Sequence, residues 1–405
     1  MPAVLGLGLF YAALFIGTGA SMPFIPVWFR AQGLGGAQIG LILSAPLLAR
    51  VVVGPALALW ADGFRMRRTP LVWIAAAAAA SFVLMGLGRG FGWWMATWFV
   101  GSSLLATLSP LTDVLTLRRA RRDGFPYAWP RGAGSAGYIL GNVAMGLVLI
   151  RAPAGAVLIW TIAAASAATM AARFLLPLEP VHEAGAPLSA RALLRGLGDL
   201  LRRPTFMLAL ASIGLIQASH GFYYGFSALV WRRQGVSQPM IGLLWAFGVI
   251  VEIAFMSLME PWRRRLGPER LLLLGGLGAM VRWSALALSP NLAACFGLQA
   301  LHALSFTSTF LASLQLIERL SPPQSASAAQ TLNASLSTGL LMGLATMASG
   351  PLFDAVGAKG YFAMTGVAAA GVVGACVLIS WMRAEPGAGT EEAAAPEIAA
   401  PSGRG

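Results

Sequence analysis

The sequence predicts an all-α polytopic membrane protein, with twelve transmembrane helices in two pseudo-symmetric six-helix bundles. Three observations carry that reading. The 405 residues are 57% hydrophobic and only 11% charged, with a mean hydropathy of +0.73, too little charge to cover a soluble protein of this length. The apolar residues fall into twelve runs near the roughly 20 residues needed to cross a bilayer. The second six runs repeat features of the first, and a polar, basic stretch separates the two sets.

The first run, 4–29, has no charged residue before it and is too long for a signal-peptide core, so it reads as a retained span. Runs 38–60, 70–88, 93–116, 132–151 and 154–177 complete the first half. Runs 205–231, 239–259, 270–288, 292–316, 328–350 and 358–383 form the second. The expected organisation is an N-terminal bundle over 1–180, a cytoplasmic linker over 181–204, a C-terminal bundle over 205–383, and a disordered Ala/Pro/Glu/Gly-rich tail over 384–405. Pro23, Pro26, Pro46 and Pro55 are expected to interrupt spans 1 and 2. Cys295 and Cys376 fall inside apolar runs without metal-type spacing, which predicts buried, inert thiols.

A formal charge of +13 would suit a nucleic-acid binder, but the arginines sit in short clusters between apolar runs. Their explanation is topological. One set of turns holds Arg65, Arg67 and Arg68, then Arg118 to Arg122, Arg191 to Arg203, Arg263 to Arg265, and Arg319. The alternate set holds little beyond Arg30, Arg89, Arg232, Arg233 and Lys359. The positive-inside rule then puts both termini in the cytoplasm, in a multi-pass protein of the cytoplasmic (inner) membrane.

Three consecutive runs of the second half each carry an ionisable residue near the middle: Glu252, Arg282 and His302. Such a group costs about 2.5–3.5 kcal/mol on insertion scales, so it tends to face a partner or a water-filled cavity. Glu252, His302 and Asp113 are the proton-coupling candidates. Arg50, mid-span in helix 2, and Arg282 could hold a substrate carboxylate. Arg50 could equally pair with Glu252 across the bundles, and Glu252–Arg282 could be a fixed structural pair. Gln217, His220 and Tyr224 are spaced to share one face of span 7; Gln299, His302 and Phe306 repeat that spacing on span 10, and Gln330, Asn333 and Ser337 on span 11. Of these, Gln217, His220, Tyr224, Gln299 and Asn333 join the substrate-binding candidates. Asp113 and Arg131 could form a gate, and Asp62 with Arg67 and Arg68 a conformational latch. Gly134, Gly137 and Gly141 share a face of span 5 suited to close helix approach.

The halves repeat. Trp28 matches Trp231, Ile39-Gly40-Leu41 matches Ile241-Gly242-Leu243, and each isoleucine precedes a mid-span charge, Arg50 or Glu252. Such duplication suggests two bundles related by a pseudo-two-fold, with a site between them. The turn GPALALWADGFRMRRTP after span 2 is similar to the loop 2–3 signature of the major facilitator superfamily, and the whole of 4–383 resembles that fold. Within it, SPLTDVL, WPRGAGSAGYILGN, QASHGFYYGFSALVW, MVRW and LQALHALSFT most resemble the proton-coupled 3-phenylpropionate transporter group, akin to lactose permease. The resemblance implies an acid, an arginine and a histidine on spans 8, 9 and 10, matched here by Glu252, Arg282 and His302. That permease carries a glutamate one turn after the histidine, where this chain has Ser305, so the protonated residue is left open.

The expectation is therefore a secondary active transporter, with proton-coupled uptake of a small aromatic carboxylate by alternating access. A sugar or nucleoside carrier and a drug exporter are the alternatives, with an intramembrane enzyme or sensor further off. No G-K-[ST], H-E-x-x-H, C-x-x-C or G-x-S-x-G is present, since Lys359 is followed by Gly360, so no enzyme, cofactor or metal is expected. The expected partners are a small-molecule substrate, protons and the lipid bilayer, without nucleic acid, and the expected state is a monomer.

Overall fold

The computed structural model describes residues 1–181, 198–322 and 325–384. Most of the expected linker and the expected tail lie outside the described residues. The described residues are helical throughout, with no strand beyond an isolated Met66–Pro180 bridge.

The first half contains α1 (Ala3–Ala31), α2 (Gly36–Asp62), α3 (Arg68–Leu87), α4 (Phe91–Asp123), α5 (Ala128–Val148) and α6 (Gly155–Phe174). The second contains α7 (Pro204–Arg233), α8 (Gln238–Leu258), α9 (Pro268–Ala287), α10 (Leu292–Arg319), α11 (326–356) and α12 (Tyr361–Ala384). Ten stretches among the described residues are long and apolar enough to cross a membrane. The last of these, Ala328–Ala384, turns back through a tight turn at Gly357–Gly360 and so makes two traverses. Gly357 takes φ +57 there, which a side chain would resist. The glycine-rich α5 is less apolar and completes the twelve.

Each run becomes a helix because, in hydrocarbon, the backbone must satisfy its own hydrogen bonds. Association then depends on close packing and not on apolar burial. α1 packs on α5 and α6, α3 on α4 and α6, α7 and α9 on α12, and α8 on α10. Gly137 and Gly141 of α5 let α1 in: a Cβ on Gly137 would come within 2.6 Å of the Ala12 carbonyl, and one on Gly141 would strike that of Ile16.

Between halves, α2 meets α11 and α5 meets α8, the exchange expected of a two-fold. These contacts also close on small residues. A Cβ on Gly36 would lie 2.6 Å from the Gly350 carbonyl, and one on Gly146 would lie 2.7 Å from the Gln238 carbonyl. Both contacts sit at the end of the helices opposite the arginine-rich turns. Asp354, on the last turn of α11, accepts from the Ala37 N–H at 3.0 Å and so caps the start of α2. Its other oxygen lies 3.8 Å from Arg30. The molecule is thus sealed on that side.

Two expectations are corrected. α1 and α2 run unbroken through Pro23, Pro26, Pro46 and Pro55. The irregular backbone lies instead at Ser219–His220 in α7, Ala303–Thr307 in α10 and Ser335–Leu341 in α11, the last two being π-turns. Cys295 is buried as expected, but Cys376 is exposed on the outer face of α12 beside Val373 and Val377.

Candidate functional site

The three mid-span charges of the second half converge. Arg282 of α9 is fully buried, and its Nη1 lies 2.7 Å from His302 Nδ1. The opposite ring nitrogen, Nε2, lies 2.8 Å from Glu252 Oε1 of α8. Donor chemistry fixes the protons. A guanidinium only donates, so Nδ1 accepts, Nε2 carries the hydrogen, and Glu252 accepts it. The sequence allowed a direct Glu–Arg pair with an imidazole nearby; the structure puts a neutral imidazole between them.

A buried cation without partners would be untenable. Arg282 Nη2 donates to Gln299 Oε1 at 2.5 Å, and the guanidinium lies 4.4 Å from the Tyr223 ring centre and 4.6 Å from that of Trp283. Gln299 is oriented in turn, donating to the Tyr223 hydroxyl and the Leu244 carbonyl, each at 2.8 Å. Exposure rises along the relay. The Arg282 residue is 0% exposed, while the His302 and Glu252 side chains are 7% and 15% exposed. Glu252 is the member carried by α8, the helix of the three that packs against α5 of the other half.

His220 sits at the break in α7, so its face is not the continuous one that helical spacing implied. Its Nδ1 donates to the Gln217 carbonyl at 3.1 Å, and its Nε2 accepts from Ser305 at 3.2 Å. Ser305, which stands where the permease group has a glutamate, therefore ties α10 to α7. His220 stacks on Tyr224, with 5.8 Å between ring centres. Gln217 is buried, and its Oε1 has no partner among the described residues. Asn333 accepts from Ser337 at 3.0 Å within α11 and makes no hydrogen bond to the relay among the described residues.

Arg50 lies elsewhere. It lines a cavity of about 410 Å³ between α2, α4 and α11, on the arginine-rich side of the closed contacts. Pro46, Val53, Pro110 and Val114 make most of that wall apolar. Among the described residues no acid pairs with Arg50, so the suggested Arg50–Glu252 bridge is absent. Ser103 shares the wall, and its buried hydroxyl has no partner among the described residues.

The proposed gate is arranged differently from expectation. Asp113 accepts from the Tyr11 and Tyr127 hydroxyls at 2.5 and 2.8 Å, while Arg131 stacks 4.6 Å from the Phe15 ring centre. No Asp113–Arg131 ion pair is present among the described residues. Asp62 is exposed, and neither it nor Arg68 makes an ion pair there. Arg67 instead donates to the Val181 carbonyl at 2.9 Å. Sequence reasoning missed Glu179, an acid 2% exposed that gathers Arg119 and Arg122 at 3.3 and 3.1 Å, and it missed Asp354. Each is a lone acid one or two turns from a span end, a signal hidden by counting arginines alone.

Comparison with known proteins follows the same lines. Residues 4–364 match the MFS_1 like family. The chain is 27% identical over 315 residues to a probable 3-phenylpropionic acid transporter of Escherichia coli (strain K12), covering 77% of this chain and 81% of that one. It is 29% identical over 395 residues to a maltose permease of Geobacillus stearothermophilus, covering 95% and 96%. The crystal structure of the nucleoside transporter NupG superposes with a TM-score of 0.81 at 15% identity, covering 95% and 100%.

Proposed function

Because this chain belongs to the MFS_1 like family of multi-pass transporters and is not an enzyme, we propose that it carries a small aromatic carboxylate together with a proton. The observation that carries this is Arg50: a cation with no acid partner among the described residues, in a cavity whose wall is mostly apolar, with Ser103, Thr107, Thr331 and Ser335 as its other polar members. Its volume falls in the roughly 300–1,000 Å³ range of small-molecule sites. An apolar body with one carboxylate matches that wall. A sugar, which needs many hydrogen-bonding partners, matches it less well.

The proton goes to Glu252. Protonating His302 would remove the lone pair that accepts from Arg282 and set two cations side by side. Protonating Glu252 keeps the imidazole neutral but leaves the buried Arg282 without its counter-charge, a change of the kind that costs about 3–5 kcal/mol. In this cycle the carboxylate first met by Arg50 is handed to the relay as the bundles rock, where it relieves that cost, so proton and substrate are favoured together. Two bundles, 1–180 and 205–383, joined by the linker 181–204, rock about this level. The arginine-rich side is cytoplasmic by the positive-inside rule, the sealed side is periplasmic, and the monomer in the inner membrane is the working unit.

A second reading, a sugar carrier, is favoured by the maltose permease match over nearly the whole chain. Uptake of radiolabelled 3-phenylpropionate and of maltose into proteoliposomes separates the two. We expect 3-phenylpropionate to accumulate only under an inward proton gradient. Accumulation of maltose instead moves the assignment to sugars, and uptake indifferent to the gradient contradicts proton coupling.

A further inference from the structure

The two halves end in matching arginine clusters on the same face, but among the described residues only the first is gathered around a fully buried acid. In the first half, the buried Glu179 follows α6 and binds Arg119 and Arg122 from the end of α4. Arg67, from the turn after α2, is fastened to the same segment through Val181. The register that matches Ile39 to Ile241 sets Arg263 to Arg265 against the Arg65–Arg68 turn, and Arg319 at the end of α10 against the end of α4. The counterpart of Glu179, five residues past the end of α6, falls beyond the end of α12 and outside the described residues; the last turn of α12 itself carries Arg383. Among the described residues, then, the first half gathers its arginines on an acid, while the end of α12 adds a further cation.

The result is a cavity of about 370 Å³ lined by Arg264, Arg265, Arg270, Arg319 and Arg383. Glu260 holds Arg264 at 2.6 Å, and Glu269 holds Arg319 at 2.6 Å. Among the described residues no acid pairs with Arg265, Arg270 or Arg383. Three guanidinium groups thus share one concavity without a counter-charge among the described residues. Topology alone does not explain this. The positive-inside rule requires arginines near span ends, but not that three separate segments of chain turn them toward one hollow.

We propose that this cavity binds the phosphate of an anionic phospholipid headgroup, which takes the part that Glu179 plays in the first half. Guanidinium groups bind phosphate oxygens in pairs, and basic pockets between transmembrane helices hold anionic headgroups. The surroundings favour a lipid over free phosphate. Ile379 and Met382 line the hollow beside the arginines, and Leu258 and Trp262 are exposed around the short helix Glu260–Leu266 that borders it. An apolar collar about a basic hollow at the membrane boundary fits acyl chains below a headgroup.

The test is thermal unfolding of the purified full chain in detergent, titrated with dioleoylphosphatidylglycerol, dioleoylphosphatidylcholine or inorganic phosphate. Phosphatidylglycerol is expected to stabilise the protein well beyond phosphatidylcholine. The combined variant Arg265→Gln, Arg270→Gln, Arg383→Gln is expected to lower its apparent affinity by at least about tenfold. Arg383→Gln alone, a change at an exposed position, is expected to weaken it in the same direction. A control that removes as much charge elsewhere on this face (Arg121→Gln, Arg202→Gln, Arg203→Gln) is expected to keep the response. Equal loss in the control, full retention in the combined variant, or an equal shift from inorganic phosphate alone would each overturn the proposal.

Discussion

Arg282 and Arg50 are both arginines set deep in transmembrane helices, yet their surroundings are opposite. Arg282 is sealed, with a histidine, a glutamine and two aromatic faces around it. Arg50 lines an open cavity and has no acid partner among the described residues. The first is held in place by its partners; the second has no anion beside it among the described residues. A buried cation ringed by partners on both terminal nitrogens and both faces holds structure and stores charge, whereas the one at an open wall is the one we propose meets a ligand.

The largest effect expected from breaking this contrast is on stability. Arg282→Ala leaves Glu252 buried without its counter-charge and should destabilise the protein by about 3–5 kcal/mol, read from unfolding in detergent. Arg50→Ala should change stability by less than about 0.5 kcal/mol, because it removes no native partner. If Arg50→Ala proves the more destabilising of the two, the contrast is wrong. On ligand affinity the order reverses. Loss of a charge-assisted contact worth about 1.5–3 kcal/mol predicts that Arg50→Ala weakens 3-phenylpropionate binding about ten- to a hundredfold, measured by calorimetry.

A smaller effect is expected at the seal. Asp354→Asn weakens the cap on α2 and the contact with Arg30, a loss of about 1 kcal/mol. That shifts the balance toward the state open on the other side about fivefold, which the distance between spin labels at the exposed Gln32 and Lys359 would report. The smallest is at Asp113. Asp113→Asn keeps an oxygen acceptor for Tyr11 and Tyr127, so gradient-driven uptake should stay within about twofold of the original. Loss of coupling there would move the proton from Glu252 to Asp113.

The helices were largely legible because hydropathy measures what a bilayer demands. Their ends were legible to within a few residues except in α4, which runs on through Arg118–Arg122 to Asp123, and α11, which runs on to Val356. An amphipathic last turn leaves the apolar run without leaving the helix. The break at Ser219–His220 and the π-turns were not legible, because apolar sequence does not register backbone hydrogen-bond phase. Among the candidate site residues, Glu252, Arg282, Gln299 and His302 meet as the cost of charge in oil suggested. The order of the relay was not legible, since only coordinates say which nitrogen of His302 faces which partner. Glu179 and Asp354 went unseen because each acts on a partner far away in sequence.

The central claim is that Glu252 carries the coupled proton. The measurement that tests it most directly follows proton entry with an internal pH dye and substrate exchange with radiolabelled 3-phenylpropionate, in the same proteoliposomes. The account predicts that Glu252→Gln still exchanges substrate across the membrane but moves no protons with it. Proton entry coupled to substrate at the original rate in that variant would contradict it.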